Sequence, residues 1–488
     1  MADLSKDGSL YQALRAYGGA DITPLHMPGH KRRVRFAPNL PWSLDITELE
    51  GFDNLHAPEG LLLDAQARAA RLWGSDEAFF LVNGATGGLL AAIYACTQAG
   101  DRILMARGCH KSVYHAVELL RLSPVYLEPP LAAGTDITGS IPPEMVERAL
   151  EAYPDIRLVV VTSPTYEGVL SDIGGIAQVV HQKNIPLLAD EAHGAHLGLS
   201  SDFPSGAIHM GADIVVQSLH KTLPSLTQTA ILHLRSDRIS KDRLRHGLGI
   251  FQSSSPSYPL LAAMDGCVGE MEALGEAHLA AWRRRLDTFY QEADFRNLSL
   301  LAKDCDPRRI YAHDPSKITI LTGGTDLSGT ALMTALRGDY HIELEMALDR
   351  HALALTGLNS TDTDLERLLD ALHEIDRWVS PASSQSPLPL PSMPEQVMPV
   401  GEALRGSKKQ MPFSEAVGQV AGGYLWVYPP GIPLVVPGAR VTAEIADYLA
   451  KRTANGMEIK STVPTEAGLM EVIDKGPCFR YNIRDTVK

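Results

Sequence analysis

Between about residues 61 and 260, short apolar runs alternate with stretches whose apolar positions recur every three to four residues. Segments 78–82 (AFFLV), 102–106 (RILMA), 158–162 (LVVVT), 185–189 (IPLLA), 213–217 (DIVVQ) and 229–234 (TAILHL) read as six strands. The runs are continuous rather than alternating, which is the pattern of strands covered on both faces. Helical stretches separate them, one opened by Pro142 and Pro143, so the region predicts βαβ units and a mostly parallel sheet. Residues 258–292 read as one long helix bridging two domains. Residues 317–321 (KITIL) and the helices after them read as a smaller α/β unit. The first 60 residues are rich in Pro, Gly, His and charge and weak in periodicity. They read as an arm that wraps a neighbour or covers a site. A Ser/Pro-rich stretch reads as a linker. The expected organisation is an arm (1–60), a large domain (61–300), a small α/β domain (301–380), a linker (381–394) and a C-terminal subdomain (395–488).

Composition narrows the class. At 488 residues the chain predicts two to four domains of roughly 100–200 residues each. Hydrophobic residues make up 45% and charged residues 21%, which is ordinary for a soluble globular protein. The formal net charge of −14 gives a surface that repels nucleic acid and anionic lipid. Cys96, Cys109, Cys267, Cys305 and Cys478 are widely spaced with no C-x-x-C, against a disulfide framework or cysteine zinc site. The first ten residues lack the apolar core of a signal peptide, and no run of 18 apolar residues is present. A cytoplasmic protein is expected, with neither nucleic acid nor membrane as partner.

In an open parallel sheet, ligands bind beyond the carboxyl ends of the strands. Four predicted strand ends carry notable groups: Asn83-Gly84-Ala85-Thr86-Gly87-Gly88, Gly108-Cys109-His110-Lys111, Asp190-Glu191-Ala192-His193 and Ser218-Leu219-His220-Lys221. The first opens a helix, and glycine-rich turns at helix starts let backbone N–H groups approach an anion; they are also common as plain connections. Asp190 is either a partner for a cationic ring nitrogen or a helix cap. Lys221, entering an apolar crevice, loses charge and becomes a nucleophilic amine; a lone lysine at a strand end is otherwise just solvated. His110, His193 and His220 share the same edge, where an imidazole stacks on a ring or moves a proton, or is simply structural.

In order along the chain, several motifs resemble the fold-type-I decarboxylases of ornithine, lysine and arginine in their shorter bacterial form. Pro24-Leu25-His26-Met27-Pro28-Gly29-His30-Lys31 resembles the family's P-x-H-x-P-G-H-K opening. Asp45-Ile46-Thr47-Glu48-Leu49 with Asp53-Asn54-Leu55-His56 is similar to its D-x-T-E-L…D-x-L-H segment. Residues 211–228 (GADIVVQSLHKTLPSLTQ) resemble the lysine-bearing signature, and 428–438 the Y-P-P-G-(I/V)-P…P-G stretch. The resemblance spans roughly residues 10–475. It implies a PLP-dependent transferase-like α/β fold with pyridoxal 5'-phosphate (PLP) as cofactor, a basic amino acid as substrate (arginine favoured over lysine or ornithine), and a homodimer or larger homo-oligomer. It implies that Lys221 holds PLP covalently, Asp190 pairs with its ring nitrogen, His110 stacks on the ring and His193 lines its other side or edge. Ala85 (through its N–H), Thr86 and Ser218 would surround the phosphate, and His220 would assist there or in proton transfer. Two departures stand out: Ala85 where the family commonly has a hydroxyl residue, and Ala439 where it often has glutamate after P-G.

Four other readings stay open at this point. One is a different PLP reaction on the same fold, such as transamination or C–C lysis. Ser218-Leu219-His220-Lys221 formally fits the S-x-x-K of serine hydrolases, without S-D-N or K-T-G partners. His193 and His196 with Asp190 could hold a metal, without H-E-x-x-H. A silent scaffold that keeps the fold is the fourth.

Overall fold

The computed structural model describes residues 9–20, 26–28, 30–31, 39–132, 134–301, 306–382, 390–427, 432–454, 459–462, 466 and 468–474. Most of the 24–31 motif is thus described. Residues 428–431 of the C-terminal motif, the centre of the Ser/Pro-rich stretch, Cys305 and Cys478 lie outside the described residues. Contacts divide the chain into two compact units, one of residues 1–116 and 124–387, the other of 117–123 and 388–488.

From the N-terminus, α1 (Leu10–Gly19) and α2 (Leu61–Trp73) precede β1 (Glu77–Leu81), α3 (Gly84–Cys96), β2 (Arg102–Ala106), α4 (Lys111–Leu119), β3 (Ser123–Leu127) and α5 (Pro143–Ala152). There follow β4 (Ile156–Thr162), β5 (Val169–Leu170), α6 (Ile173–Gln182), β6 (Leu187–Asp190), β7 (Ile214–Ser218), α7 (Leu219–Thr222), β8 (Ala230–Leu234), α8 (Lys241–Phe251) and α9 (Tyr258–Glu292). Seven strands form one sheet in the order β1-β8-β7-β6-β4-β2-β3. Strands β2, β4, β6 and β7 are mutually parallel. β8 runs antiparallel to both β7 and β1, so β1 points the same way as the parallel set. The reversal has a simple cause: residues 219–229 are too few for a crossover back to the starting edge. Every residue of β6, β7 and β8 is buried, as the continuous apolar runs require.

Helix α3 lies directly on this sheet. A Cβ at Gly88 would fall 2.5 Å from Leu81 Cδ1 and 3.1 Å from Val216 Cγ1, so only glycine permits that approach. On the other side α8 packs on α3, where a Cβ at Gly247 would sit 3.0 Å from Tyr94 and 3.1 Å from the Ala91 carbonyl oxygen. Helix α9 is 35 residues long, about 52 Å at 1.5 Å per residue. Its buried stripe runs Tyr258, Leu261, Met264, Val268, Met271, Gly275, Leu279, Trp282, Leu286 and Phe289. Each such fully buried aliphatic side chain contributes about 1.5–3 kcal/mol. Buried Asp265 on this helix accepts from Leu10 N at 2.8 Å and from Arg68 Nη2, tying α1 and α2 to it. The predicted unpatterned arm therefore contains a helix, whose Leu10, Ala13 and Leu14 are buried.

A second, antiparallel sheet follows: β9 (Ser299–Leu300), β11 (Lys317–Leu321), β12 (Met346–Ala347) and β13 (His351–Leu355), in the order β12-β13-β11-β9. The pair β5 and β10 (Ala312–His313) stands apart from it. Helices α10 (Gly329–Asp339) and α11 (Asp362–Trp378) complete this part. Thr361 and Asp364 form a reciprocal capping box at the start of α11.

The second unit holds α12 (Val400–Arg405), β14 (Lys408–Pro412), β15 (Leu425–Val427), β16 (Ile432–Val435), α13 (Ala443–Ala454), β17 (Ile459–Ser461) and β18 (Leu469–Ile473). Strand β14 pairs antiparallel with β18, and β15 lies between β16 and β17. Its core gathers Phe413, Leu425, Leu434, Val435, Ile445, Leu449, Met470 and Val472. Ala439 is 1% exposed within this unit.

Candidate active site

The carboxyl ends of β2, β4, β6 and β7 share one edge, with the end of β1 on the same side. The register places Thr162 beside Asp190, and Asp190 beside Val216. Asp190 is thus the last residue of β6, and Ser218 the last of β7. One turn of helix, α7, then brings Lys221 back over the edge. Its Nζ lies 2.8 Å from His193 Nε2.

Burial dominates the electrostatics here. It pushes the Lys221 ammonium down, a shift partly opposed by Asp190 and then Glu345. Burial pushes the Asp190 carboxyl up, partly opposed by Lys221. His193 is held well below its ordinary value by burial and then by Lys221. His110 is pushed down to about 4 by burial, then Lys221. Neutral imidazoles beside an amine that sheds its proton easily are the result. His193 Nε2 faces the amine, while its buried Nδ1 has no hydrogen-bond partner. His110 uses Nδ1 on Ser112 Oγ at 2.8 Å, at the start of α4.

Of the residues expected at the site, Lys221 and His193 touch, and Asp190 and His110 interact with them electrostatically. The glycine-rich turn and the Lys221 turn are bridged by two residues. Gln228 Nε2 donates to Val82 O at 2.5 Å. Thr229 O accepts from Leu219 N at 3.2 Å and from His220 Nδ1 at 2.9 Å. His220 is therefore tethered through Nδ1 to the backbone, with its pKa lowered chiefly by burial. Asn83 does not cap α3; its Nδ2 donates to Phe251 O at 3.0 Å. The first-turn N–H groups at Ala85 and Thr86 thus have no side-chain cap. Ala85 and Ser218 are buried, and Thr86 is exposed.

Two neighbours carry no signal in the four strand ends singled out above. Tyr166, beyond the end of β4, places its ring 4.2 Å from that of His193, and the Lys221 ammonium stands 5.5 Å over it. Applying the strand-end rule to LVVVT would have found it. Lys317 donates to the His193 carbonyl oxygen; at the head of KITIL it reads as an ordinary exposed strand start, yet it is fully buried.

These residues fit PLP. The amine is half-buried, the neighbouring carboxylate is 2% exposed and accepts a single hydrogen bond, from Ala192 N at 3.2 Å, and the uncapped helix start suits a phosphate. The serine-hydrolase reading finds no Ser218–Lys221 hydrogen bond among the described residues, the Lys221 amine bonding His193 instead. The metal reading loses a ligand: His196 Nε2 is 3.3 Å from Asp314 Oδ1, and among the described residues no His/Cys/Asp/Glu group is arranged to hold a metal.

Comparison with known proteins gives the family. Residues 8–292 match the family model "Orn/Lys/Arg decarboxylase, major domain", and 386–459 match "Orn/Lys/Arg decarboxylase, C-terminal domain". The chain is 37% identical to the uncharacterized protein YaaO of Bacillus subtilis, over 91% of this chain and 93% of that one. It is 30% identical to the arginine decarboxylase of the same organism, over 95% and 97%. In fold it is similar to the Francisella novicida lysine decarboxylase LdcF, with a TM-score of 0.79, 20% identity, and 95% of this chain and 81% of that one covered. The chain belongs to the Orn/Lys/Arg decarboxylase family and is a PLP-dependent amino-acid decarboxylase.

Proposed function

We propose that the chain decarboxylates arginine, releasing CO2 and agmatine for polyamine synthesis, in the cytoplasm and as a homodimer or larger homo-oligomer. The observation that carries the site assignment is the 2.8 Å pairing of Lys221 with His193 beside the buried Asp190. The preference for arginine is supported by relatives named arginine decarboxylase at 27–30% identity, whereas the lysine decarboxylases compared are 22–24% identical. No helix among the described residues is long and apolar enough to cross a membrane.

When bound, PLP supplies an electron sink for the pair left on the substrate's α carbon as CO2 departs. Everything else falls to the chain. Lys221 would anchor the cofactor through its uncharged amine and return a proton to the α carbon. Asp190 would hold the cofactor's protonated ring nitrogen as its counter-charge: opposite charges about 4 Å apart gain roughly 4 kcal/mol at an effective dielectric near 20, or about three pKa units. His193 orients the amine, and His110 would stack on the cofactor ring. The start of α3, with Ala85 N–H, Thr86 and Ser218, would receive the phosphate, and His220 would steady that turn from its Thr229 tether.

The test is direct. The purified protein is incubated with PLP and, separately, with arginine, lysine and ornithine; CO2 is counted and the amine identified by mass. Agmatine from arginine is expected. A keto acid without CO2 would transfer the site to transamination, and no product with any of the three would end the reading. Borohydride reduction followed by peptide mapping should place the pyridoxyl group on Lys221.

A further inference from the structure

A buried ammonium on the second sheet reaches into the turn that carries His193. Lys317, the first residue of β11, is fully buried. Its Nζ donates to Asp314 Oδ2 at 2.6 Å, to Ser316 Oγ at 2.9 Å and to the His193 carbonyl oxygen. All three of its hydrogens are used. Asp314, also fully buried, completes the clamp: its Oδ1 accepts from Ser316 N at 3.0 Å and lies 3.3 Å from His196 Nε2. One ion pair thus holds the backbone of His193 and the ring of His196, three residues further along the same turn. His196 is wedged in turn between Phe203 and Trp282, with ring centroids 4.9 Å away in both cases.

A buried ion pair of this kind adds little net stability over an apolar pair of the same volume. What it adds is direction. A lysine amine can swing through several rotamers, and the imidazole it meets must be fixed from behind for the 2.8 Å contact to persist. His193 has no other side-chain hydrogen bond to fix it, since its Nδ1 is unpartnered. We infer that Lys317 is a positioning residue for this reaction, which through the His193 backbone presents the imidazole to Lys221. The inference rests on the assignment of Lys221 and His193 to the site. The titratable groups facing the Lys317–Asp314 clamp are Glu191, His193, His196, His313 and Lys221. Lys317 also helps lower the Lys221 ammonium, after burial.

The test reads Lys221 itself rather than turnover. Apo-protein is mixed with PLP across a pH series, and the capture rate, followed by absorbance, gives the midpoint at which Lys221 becomes uncharged. Lys317→Met with Asp314→Asn removes both charges of the clamp and leaves no buried ion alone. The expected result is an upward shift of that midpoint by about one unit, the usual scale of environmental shifts for lysine. In a His193→Ala background the same pair should move it less, because only the direct charge of Lys317 then acts on Lys221. A lowered melting temperature with an unchanged midpoint would mean a purely structural clamp and overturn the inference. So would an equal shift in the His193→Ala background. If the paired variant does not fold, Lys317→Gln carries the same measurement, because one amide cannot serve all three acceptors. Failure of the wild type to capture PLP at Lys221 would instead remove the proposed function, a result distinct from either of these.

Discussion

Neighbouring residues at the end of β6, Asp190 closing the strand and Glu191 just past it, open two buried polar clusters of opposite character. Asp190 faces the Lys221 edge and accepts one hydrogen bond. Glu191 faces the other way, into a closed chain. Its carboxyl accepts from Ala207 N at 2.8 Å and Gln217 Nε2 at 2.7 Å. Gln217 Oε1 accepts from His233 Nε2 at 3.1 Å, and His233 Nδ1 lies 3.2 Å from Ser75 Oγ. The amide oxygen can only accept, so His233 carries its proton on Nε2 and the hydroxyl donates to Nδ1. Each of these polar groups finds its partner within the chain. The Asp190 side leaves a buried imidazole nitrogen unpartnered and a lysine amine bonded to a single group. A satisfied buried network is scaffold, and an under-satisfied one is built for a ligand.

Substitutions should split the two clusters cleanly. Lys221→Ala should abolish both the visible absorbance of bound PLP and CO2 release, while melting no lower than wild type; turnover near normal would collapse the distinction. Asp190→Ala should cut kcat by about a thousandfold, the equivalent of three pKa units, and weaken PLP binding far less. Steady-state kinetics with a parallel PLP titration measures both. On the closed side, His233→Ala should leave kcat close to wild type and cost about 1–3 kcal/mol of stability, because Gln217 Oε1 loses its donor; urea unfolding reads this.

The last effect is one of pH and leaves turnover untouched. Burial lifts the Glu191 carboxyl to about 8 from an ordinary 4.5. Between those values the folded chain keeps a proton that the unfolded chain has released, so stability declines as pH rises through the window, at most by about 1.4 kcal/mol per unit. Glu191→Gln, which preserves shape and most hydrogen bonds, should flatten that decline without altering kcat. Melting temperatures collected from pH 5 to 8 would show it, and an unchanged slope would place the proton elsewhere.

Much of this was legible in the sequence. RILMA, KITIL and the 258–292 helix fall where their patterns put them, because long apolar periodicity leaves little choice. Asp190, His193 and Lys221 could be placed together because the strand-end rule supplies a geometry. Strand β3 was missed: Pro124 interrupts it and most of its residues are only partly buried or exposed, as edge strands allow. Helix α1 was hidden by the composition around it, although Leu10, Ala13 and Leu14 have helical spacing. Lys317 was illegible for another reason. Its role depends on Asp314 and on a carbonyl 124 positions away, and no local pattern announces a buried ammonium.

The short connection from β7 to β8 has a bearing on protein engineering. Lys221 rides on a strap fastened at both ends to strands with no exposed residue. Lengthening that strap would slacken the amine even if every neighbouring side chain were kept, unlike insertions in ordinary surface loops. Anyone grafting this lysine onto a different scaffold would need to transplant the antiparallel strand pair along with it.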